Sequence, residues 1–229
     1  MLDSSAGSDR SLPACRTGRI PNASSSSHAG GKMMGLLDFI SGNKRLRKPK
    51  GIRHGGKRLS EVLAAHEKFH RGLPGGVRAV LEGADLSYAD LRGLDLTGSS
   101  LAGCSLHGAD LRGSKLGSAD LSKADLRSAD LRNCDLTETK LAGANLSEAD
   151  LSGTELFRGD LTSAILHRTI LRGTVLRQAI LHGADFTGSD LTLSSFREVD
   201  LSDVNLEGAD LSNAVVRDNK KTEPKLEVH

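Results

Sequence analysis

Two histidines spaced one helical turn apart, with a glutamate between them, could together hold a metal ion and activate a water molecule. The residues are His66, Glu67 and His70, in the stretch HEKFH. In the H-E-x-x-H pattern of zinc hydrolases, the two imidazoles bind the metal and the carboxylate acts as the base. Whether this chain can do that chemistry depends on the elements that would position these three side chains.

A repeat of five residues dominates the sequence downstream of this stretch. From Leu81 to Val216 every fifth residue is apolar, which gives 28 positions, of which 25 are leucine. The other three are Phe186, Phe196 and Val216. Each of these positions is called i below. The residue at i−2 is mostly small, commonly alanine, and the register holds throughout.

A period of five fits neither an α-helix nor a straight β-strand. Five helical steps rotate a side chain by roughly 140°, so the leucines would spread around the helix axis. Five strand steps place successive leucines on opposite faces. All of them can point inward only if the chain turns a corner in every repeat, and glycines at i+2 suit such corners. The sequence therefore predicts a solenoid in which each coil is hydrogen-bonded to the next.

The repeated segments ADLRG, ADLSK and ANLSE resemble the A(D/N)Lxx motif of the pentapeptide-repeat family. The resemblance covers residues 81–216 and implies an all-β fold, a right-handed quadrilateral β-helix with four pentapeptides in each coil. The chain would then contain about seven coils and be on the order of 34 Å long. The stretch LSEVLAAHEKFH, residues 59–70, is similar to a helix often found before such repeats, which implies a short N-terminal α-helical cap.

The predicted capping helix gives HEKFH a structural role. Leu59, Val62, Leu63, His66 and Phe69 fall on one helical face, which would cover the first coil. His66 would be packed beside Phe69, with His70 at the edge of the apolar stripe. A zinc hydrolase also needs a third ligand and a cleft, whereas the downstream chain predicts a filled interior. We therefore expect no enzyme, metal or cofactor, and a zinc-dependent hydrolase stays a remote alternative.

Charge and composition divide the chain into four predicted regions. Residues 1–80 carry 15 Lys/Arg and 5 Asp/Glu, whereas residues 81–216 carry 12 and 21. The regions are a disordered Ser/Gly-rich and basic arm (1–50), a capping helix and linker (51–80), the β-helix (81–216) and a polar tail (217–229). Translation from Met33 or Met34 would leave out most of the Ser-rich segment.

The cysteines and the hydropathy predict a cytoplasmic protein. Cys15, Cys104 and Cys134 are odd in number and lack CxxC spacing, which argues against a disulfide framework. The chain has no secretory h-region and no apolar run of about 18 residues. The basic arm could nevertheless place the protein at the inner face of the membrane.

The arm is a candidate for weak contact with a membrane surface or with nucleic-acid phosphate. Apolar residues precede a basic cluster, and this order suits an anionic surface. The candidate residues are Leu36, Leu37, Phe39, Ile40, Lys44, Arg45, Arg47, Lys48 and Lys50.

One coil differs from the others at its outward positions. At i−1, where Asp is usual, residues 164–183 carry Ile165, Ile170, Val175 and Ile180. Four pentapeptides per coil would place one of them on each face, as an apolar belt. The basic residues of the same coil complete a candidate interaction surface: His167, Arg168, Arg172, Arg177 and His182. Tolerated β-branched residues on a strand surface are the alternative interpretation.

The function predicted from these features is a non-enzymatic protein-interaction or scaffold module, a rigid rod that presents outward side chains to a protein partner. A homodimer could form end to end through the C-terminal coil, because an uncovered coil offers edge strands. The alternative is a DNA-mimicking modulator of a type II topoisomerase such as gyrase, a role that the family resemblance suggests for acidic surface columns. Arg or Lys residues stand among the acids on each of the four predicted faces here.

Overall fold

The computed structural model describes residues 46–217. In chain order the elements are a 3-10 turn (Pro49–Gly51), strands β1 (Arg53–His54) and β2 (Lys57–Arg58), helix α1 (Leu59–His70), and strands β3 (Ser195–Arg197) and β4 (Val215–Arg217). Strands β1 and β2 pair antiparallel, and β3 and β4 pair parallel. The rest of the described chain consists of turns and single β-bridges.

Helix α1 covers the first repeats with one face. Leu59 and His66 are fully buried, and Val62 and Leu63 pack partly buried against the core. Phe69 is 47% exposed, so its predicted place on the packed face is only partly right. Its ring lies nearly parallel to the buried His66 ring, with the centroids 6.2 Å apart.

The chain turns back sharply after α1. A Cβ atom on Gly76 would lie 2.4 Å from the Phe69 backbone nitrogen. Only glycine allows this close approach of two backbones. The turn brings Ala79 to the buried side of the helix and leads directly into the repeats.

Parallel β-bridges join residues that are twenty positions apart. The series runs from Val80–Ser100 to Asp190–Asp210. Each bridge is made by backbone hydrogen bonds such as Leu126 N–H to Asn145 O (2.7 Å) and Asp125 N–H to Cys104 O (2.9 Å). Bridged residues are thus four pentapeptides apart in the sequence, and we call each such twenty-residue segment a coil. The backbone hydrogen bonds join each segment to the segments before and after it.

The positions called i form the core. From Leu81 to Phe196 every one of them is at most 2% exposed. In the last described repeats, Leu201, Leu206, Leu211 and Val216 are only partly buried. The predicted inward direction of the leucines is therefore confirmed, and burial declines at the C-terminal end.

Polar residues at the inward i−2 positions satisfy their own hydrogen-bonding groups. Thr139, Thr154, Thr169 and Thr174 are completely buried. The hydroxyl of Thr139 donates to the Leu116 carbonyl at 2.8 Å, and that of Thr154 donates to the Leu131 carbonyl at 3.0 Å. Such pairing removes most of the cost of burying a hydroxyl.

The corners depend on the aspartates at i−1. In Asp135 and Asp160, for example, one carboxylate oxygen accepts the backbone N–H of the residue two places on, at 3.0 Å in both cases. These are Asx turns, which favour Asp and Asn at the start of a turn. The sequence predicted only a solvent-exposed position for these residues, and the structure adds a local structural role.

Leu193 occupies a corner position that suits leucine poorly. Its φ is +61°, and its side chain is 66% exposed. Glycine or asparagine fills the same i+2 position one coil away, at Gly173 and Asn213. Leucine pays a steric cost in the left-handed region that glycine and asparagine largely avoid.

We expect Leu193→Asn to raise the free energy of unfolding by about 1 kcal/mol, because it relieves this left-handed strain. Denaturant unfolding measures the change. Leu193→Ala is the matched control, since it removes the exposed apolar atoms but keeps a Cβ without the local hydrogen bonding of asparagine. An equal gain in both variants would contradict the strain explanation.

Candidate interaction surfaces

The HEKFH stretch makes a hydrogen-bonded cap. Nδ1 of His66 accepts a hydrogen bond from the Ala79 backbone N–H at 3.1 Å. Neutral His66 therefore carries its proton on Nε2. That nitrogen lies 3.2 Å from Nε2 of His70, which lies 2.9 Å from the Thr97 carbonyl oxygen. Burial and the nearby His70 lower the pKa of His66.

This geometry does not suit a catalytic zinc site. With Nδ1 occupied by Ala79, the Nε2 of His66 has a proton and no free lone pair for a metal. Glu67 points to solvent and pairs with Arg71 at 3.4 Å. Within residues 46–217 no group of three or more His, Cys, Asp or Glu residues could hold a metal ion. The local geometry therefore favours the structural interpretation of HEKFH.

The two cysteines of the repeats are inert. Cys104 and Cys134 are buried free thiols at i−2 positions. Burial raises the pKa of the Cys104 thiol to about 12. A thiol that stays protonated is a poor nucleophile and a poor metal ligand.

Part of the candidate membrane or phosphate site packs against the repeats. Leu36, Leu37, Phe39, Ile40, Lys44 and Arg45 lie outside the described residues. Arg47 forms a parallel bridge with Ala89 and pairs with Asp85 at 2.9 Å, and Lys48 pairs with Asp90. Lys50 lies in the 3-10 turn. Residues 46–50, predicted as part of a disordered arm, instead dock here because the first coil offers an open strand edge and carboxylates.

One face of the repeats carries a fully paired column of charges. The aspartates Asp90, Asp110 and Asp130 bind Arg92, Arg112 and Arg132 through short contacts of 2.7–2.8 Å. Each of these arginines also approaches the aspartate of the next coil, at 3.4–3.6 Å. Hydrogen bonds from Arg92 and Lys48 lower the pKa of Asp90. We call this set the paired column, and its charges are internally neutralised.

The predicted belt is exposed. Ile165, Ile170 and Val175 are 37–38% exposed, and Ile180 is 53% exposed. The bridge partners one coil away on these columns include Asn145, Asp150, Glu155 and Asp160. Large apolar side chains thus stand in line with polar and charged ones.

Two arginines and two histidines of the belt contact acids that follow them in the chain. The contacts are His167–Asp185 (2.8 Å), Arg172–Asp190 (2.5 Å), Arg177–Glu198 (3.4 Å) and His182–Asp203. Burial alone would raise the pKa of Asp185, but hydrogen bonds from Thr187 and His167 lower it to about 2. Arg168 lines a separate groove with Glu148 and Glu207. The belt is therefore an apolar ring bordered by oriented charges.

The series of β-bridges is interrupted beside the belt. Val175 bridges Ser195 and Asp185 bridges Asn205, but Ile180 forms no bridge with Asp200 within residues 46–217. The Gly183 N–H donates to the Asp203 carboxylate at 3.1 Å. A surface cavity lies here, and Ile180 and His182 help to line it. The five-residue period of the sequence did not predict this interruption or the cavity beside it.

The sequence analysis placed Arg177 in the belt but did not predict the arginine column to which it belongs. Arg177, Arg197 and Arg217 follow one another at intervals of twenty residues along one corner, and Arg197 pairs in register with Arg217 across β3 and β4. The twenty-residue interval could have revealed this column.

No helix in the described part of the chain has the length and apolar character needed to cross a membrane.

Comparison with protein families gives a match over most of the described chain. The family model for pentapeptide repeats matches in eight copies, over residues 79–117, 119–157, 155–192 and 179–218. No curated protein matches the chain.

Several solved structures are similar to parts of the chain. HetL, a pentapeptide repeat protein involved in heterocyst differentiation regulation from the cyanobacterium Nostoc sp. strain PCC 7120, is 30% identical; the alignment covers 60% of this chain and 83% of HetL, with a TM-score of 0.33. Full-length QnrB1, a plasmid-mediated fluoroquinolone resistance protein, is 22% identical over 60% of this chain and 83% of QnrB1, with a TM-score of 0.36. A pentapeptide repeat protein from the Arabidopsis thaliana thylakoid lumen is 30% identical over 44% of this chain and 68% of its own, with a TM-score of 0.24.

Proposed function

Since the chain belongs to the pentapeptide-repeat family, we propose that it is a non-enzymatic interaction module, a right-handed quadrilateral β-helix of about seven coils that presents outward side chains to a protein partner. The bridges between residues twenty apart support four pentapeptides per coil. The buried leucines leave the interior filled, so any ligand must bind the outside.

The exposed belt is the observation that carries this proposal. Ile165, Ile170, Val175 and Ile180 expose 37–53% of their surface, although each i−1 column holds polar or charged residues in earlier coils. Burying an apolar side chain in a complex is favourable by about 25 cal/mol per Å² removed from water. Exposed aliphatic groups beside arginines are therefore well suited to a protein interface.

We expect the double variant Ile170→Asp, Ile180→Asp to abolish partner binding, because each new carboxylate would have to be desolvated at the interface. Pull-down from native extract followed by mass spectrometry measures this loss. The circular dichroism spectrum should remain unchanged, since both side chains point outward.

The matched control is Ser105→Asp with Asn145→Asp, which adds two carboxylates at i−1 positions of other coils. It should retain binding. Full retention of the same partner by the belt variant would reject the proposal. A chain lacking residues 1–45 separates a partner of the belt from one of the arm, and it leaves Arg47 and Lys48 in place.

The topoisomerase alternative stays a prediction with its own test. A DNA mimic needs a continuous run of uncompensated negative charge, whereas arginines neutralise the paired column. A gyrase supercoiling assay with and without the protein decides between the two functions. Inhibition or protection of gyrase that survives the belt substitutions would favour the alternative.

Three further expectations stay predictions. They are a cytoplasmic location, contact of the arm with a membrane surface or nucleic acid, and an end-to-end homodimer through the C-terminal coil. The partial burial of Leu201, Leu206 and Leu211 supports the last of these.

A further inference from the structure

One face of the repeats changes character halfway along the rod. Its outward i−1 positions are joined by consecutive bridges: Asp95, Lys115, Asp135, Glu155, Val175, Ser195 and Val215. The adjoining i+1 corner carries, in the same order, Thr97, Gly117, Thr137, Phe157, Arg177, Arg197 and Arg217. We call this the bipolar face, because its first half is mainly acidic and its second half is mainly apolar with an arginine edge.

Four charges on the bipolar face lack an ion-pair partner among the described residues. Asp135 and Glu155 are exposed and make no ion pair with any described residue, and the same is true of Arg197 and Arg217. The paired column, by contrast, joins every arginine to two aspartates. Two exposed acids and two exposed arginines on one face are therefore available to an outside partner.

We propose that the partner of the bipolar face is a second copy of the same face, in an antiparallel side-by-side dimer whose two-fold axis lies level with Val175. Val175 is one coil from both Glu155 and Ser195. The axis therefore sets Glu155 level with Arg197 of the second copy. One coil further out, it sets Asp135 level with Arg217 of the second copy. Each pair occurs twice, as a symmetric interface requires.

The spacing of the charges favours a second copy of this chain over an extended peptide or a nucleic acid as the partner. Charges on one column repeat with the distance between coils, about 4.8 Å. Side chains on one face of an extended peptide repeat at about 6.6 Å, and phosphates along one strand of duplex DNA repeat at about 3.4 Å, so neither matches the spacing of the coils. Another β-helix has the same repeat, so successive pairs stay in register.

The side chains around the axis suit close approach. Val175 is 38% exposed and would meet its symmetry mate at the centre of the interface. Thr137 is a small corner residue, so it leaves room for a long arginine to cross from the corner to the acidic column. Arg177 lies over the Phe157 ring, with its guanidinium carbon 5.7 Å from the ring centroid. This contact holds the arginine edge in place near the axis.

The dimer should be weak and sensitive to salt. The overlap spans five coils, about 24 Å of the rod, which is at the small end for a specific interface. Exposed ion pairs contribute modestly and are screened by salt. We expect association at micromolar to millimolar concentration.

Sedimentation equilibrium of the full chain at about 0.05 M and about 0.5 M NaCl tests the proposal. The wild type should dimerise at low salt and dissociate at high salt. Either double reversal, Arg197→Glu with Arg217→Glu or Asp135→Arg with Glu155→Arg, should weaken dimerisation by more than about tenfold. An equimolar mixture of the two variants should form a heterodimer, because all four pairs are then attractive, two of them as in the wild type and two with their signs exchanged.

The control is Lys123→Glu with Lys140→Glu, which makes the same change in net charge as the arginine reversal but away from the bipolar face, and it should leave the dimer intact. A monomeric wild type would overturn the proposal, and single-stranded DNA retained by Arg197 and Arg217 would then identify a polyanion as their ligand. A dimer indifferent to both reversals would also overturn it and would favour the end-to-end arrangement. Partner capture by Ile170 and Ile180 is scored separately, because those residues lie on other faces.

Discussion

Replacing His66 by leucine should lower the free energy of unfolding of the N-terminal cap by about 1–3 kcal/mol, the cost of a buried donor without a partner. His66 is completely buried, and its Nδ1 is the acceptor for the Ala79 N–H. Leucine fills a similar volume but accepts no hydrogen bond. Hydrogen exchange at the Ala79 amide and denaturant unfolding both report this loss.

His66→Asn is the control, since its side-chain oxygen can accept from Ala79 while carrying no titratable proton. It should recover part of the lost stability. Equal destabilisation by Leu and Asn would show that ring packing against Phe69 matters more than the hydrogen bond to Ala79.

Comparing His66→Asn with the wild type also isolates the contribution of His66 to the pH dependence of stability. The pKa of His66 is lowered in the folded state by burial and by His70, with Arg78 also lowering it and Asp95 opposing them. The unfolded chain therefore binds more protons just below its own His pKa, about 6.5. The stability contributed by neutral His66 is fully present above that pH and declines as pH falls toward the lowered folded value. His66→Asn should remove this part of the decline.

Deleting one residue from the middle of the repeats, such as Thr137, should abolish folding of the segment that follows. Every later leucine would move one place out of register, and a one-place shift turns inward side chains outward. The burial free energy would be lost at many leucine positions that are now at most 2% exposed. Circular dichroism, thermal unfolding and limited proteolysis would reveal the unfolded segment.

Deletion of residues 121–140 is the matched control for that experiment. It removes one coil, because bridged residues are twenty apart, and joins Asp120 to Leu141 in register. Stability of a solenoid is roughly a sum over repeats and their interfaces, so this protein should fold with modestly reduced stability. Equal tolerance of both deletions would contradict a register set by the leucines.

The spacing of the leucines was enough to predict which side chains are buried, because no other backbone path brings them together. The corners were predicted from the glycines, yet the Asx turns of Asp135 and Asp160 were not. A carboxylate that accepts a local backbone N–H has the same sequence signature as one that only faces solvent.

The surfaces were predicted less completely than the core. The belt follows directly from a change of residue type at i−1, and the structure exposes it. The bipolar face can be predicted only when residues twenty positions apart are compared, in addition to residues five positions apart. The docking of Arg47 and Lys48 has no periodic signal at all, because it depends on the free edge that the first coil presents.

The direction of the hydrogen bonds between coils has a mechanical consequence. Since these bonds point from coil to coil, a force that pulls the two ends apart loads them one after another rather than all at once. Coils should therefore peel off singly at low tension, each releasing twenty residues. Each released coil would lengthen the chain between its two ends by roughly 65 Å. The molecule would therefore extend in steps under tension rather than resist the force as a stiff rod.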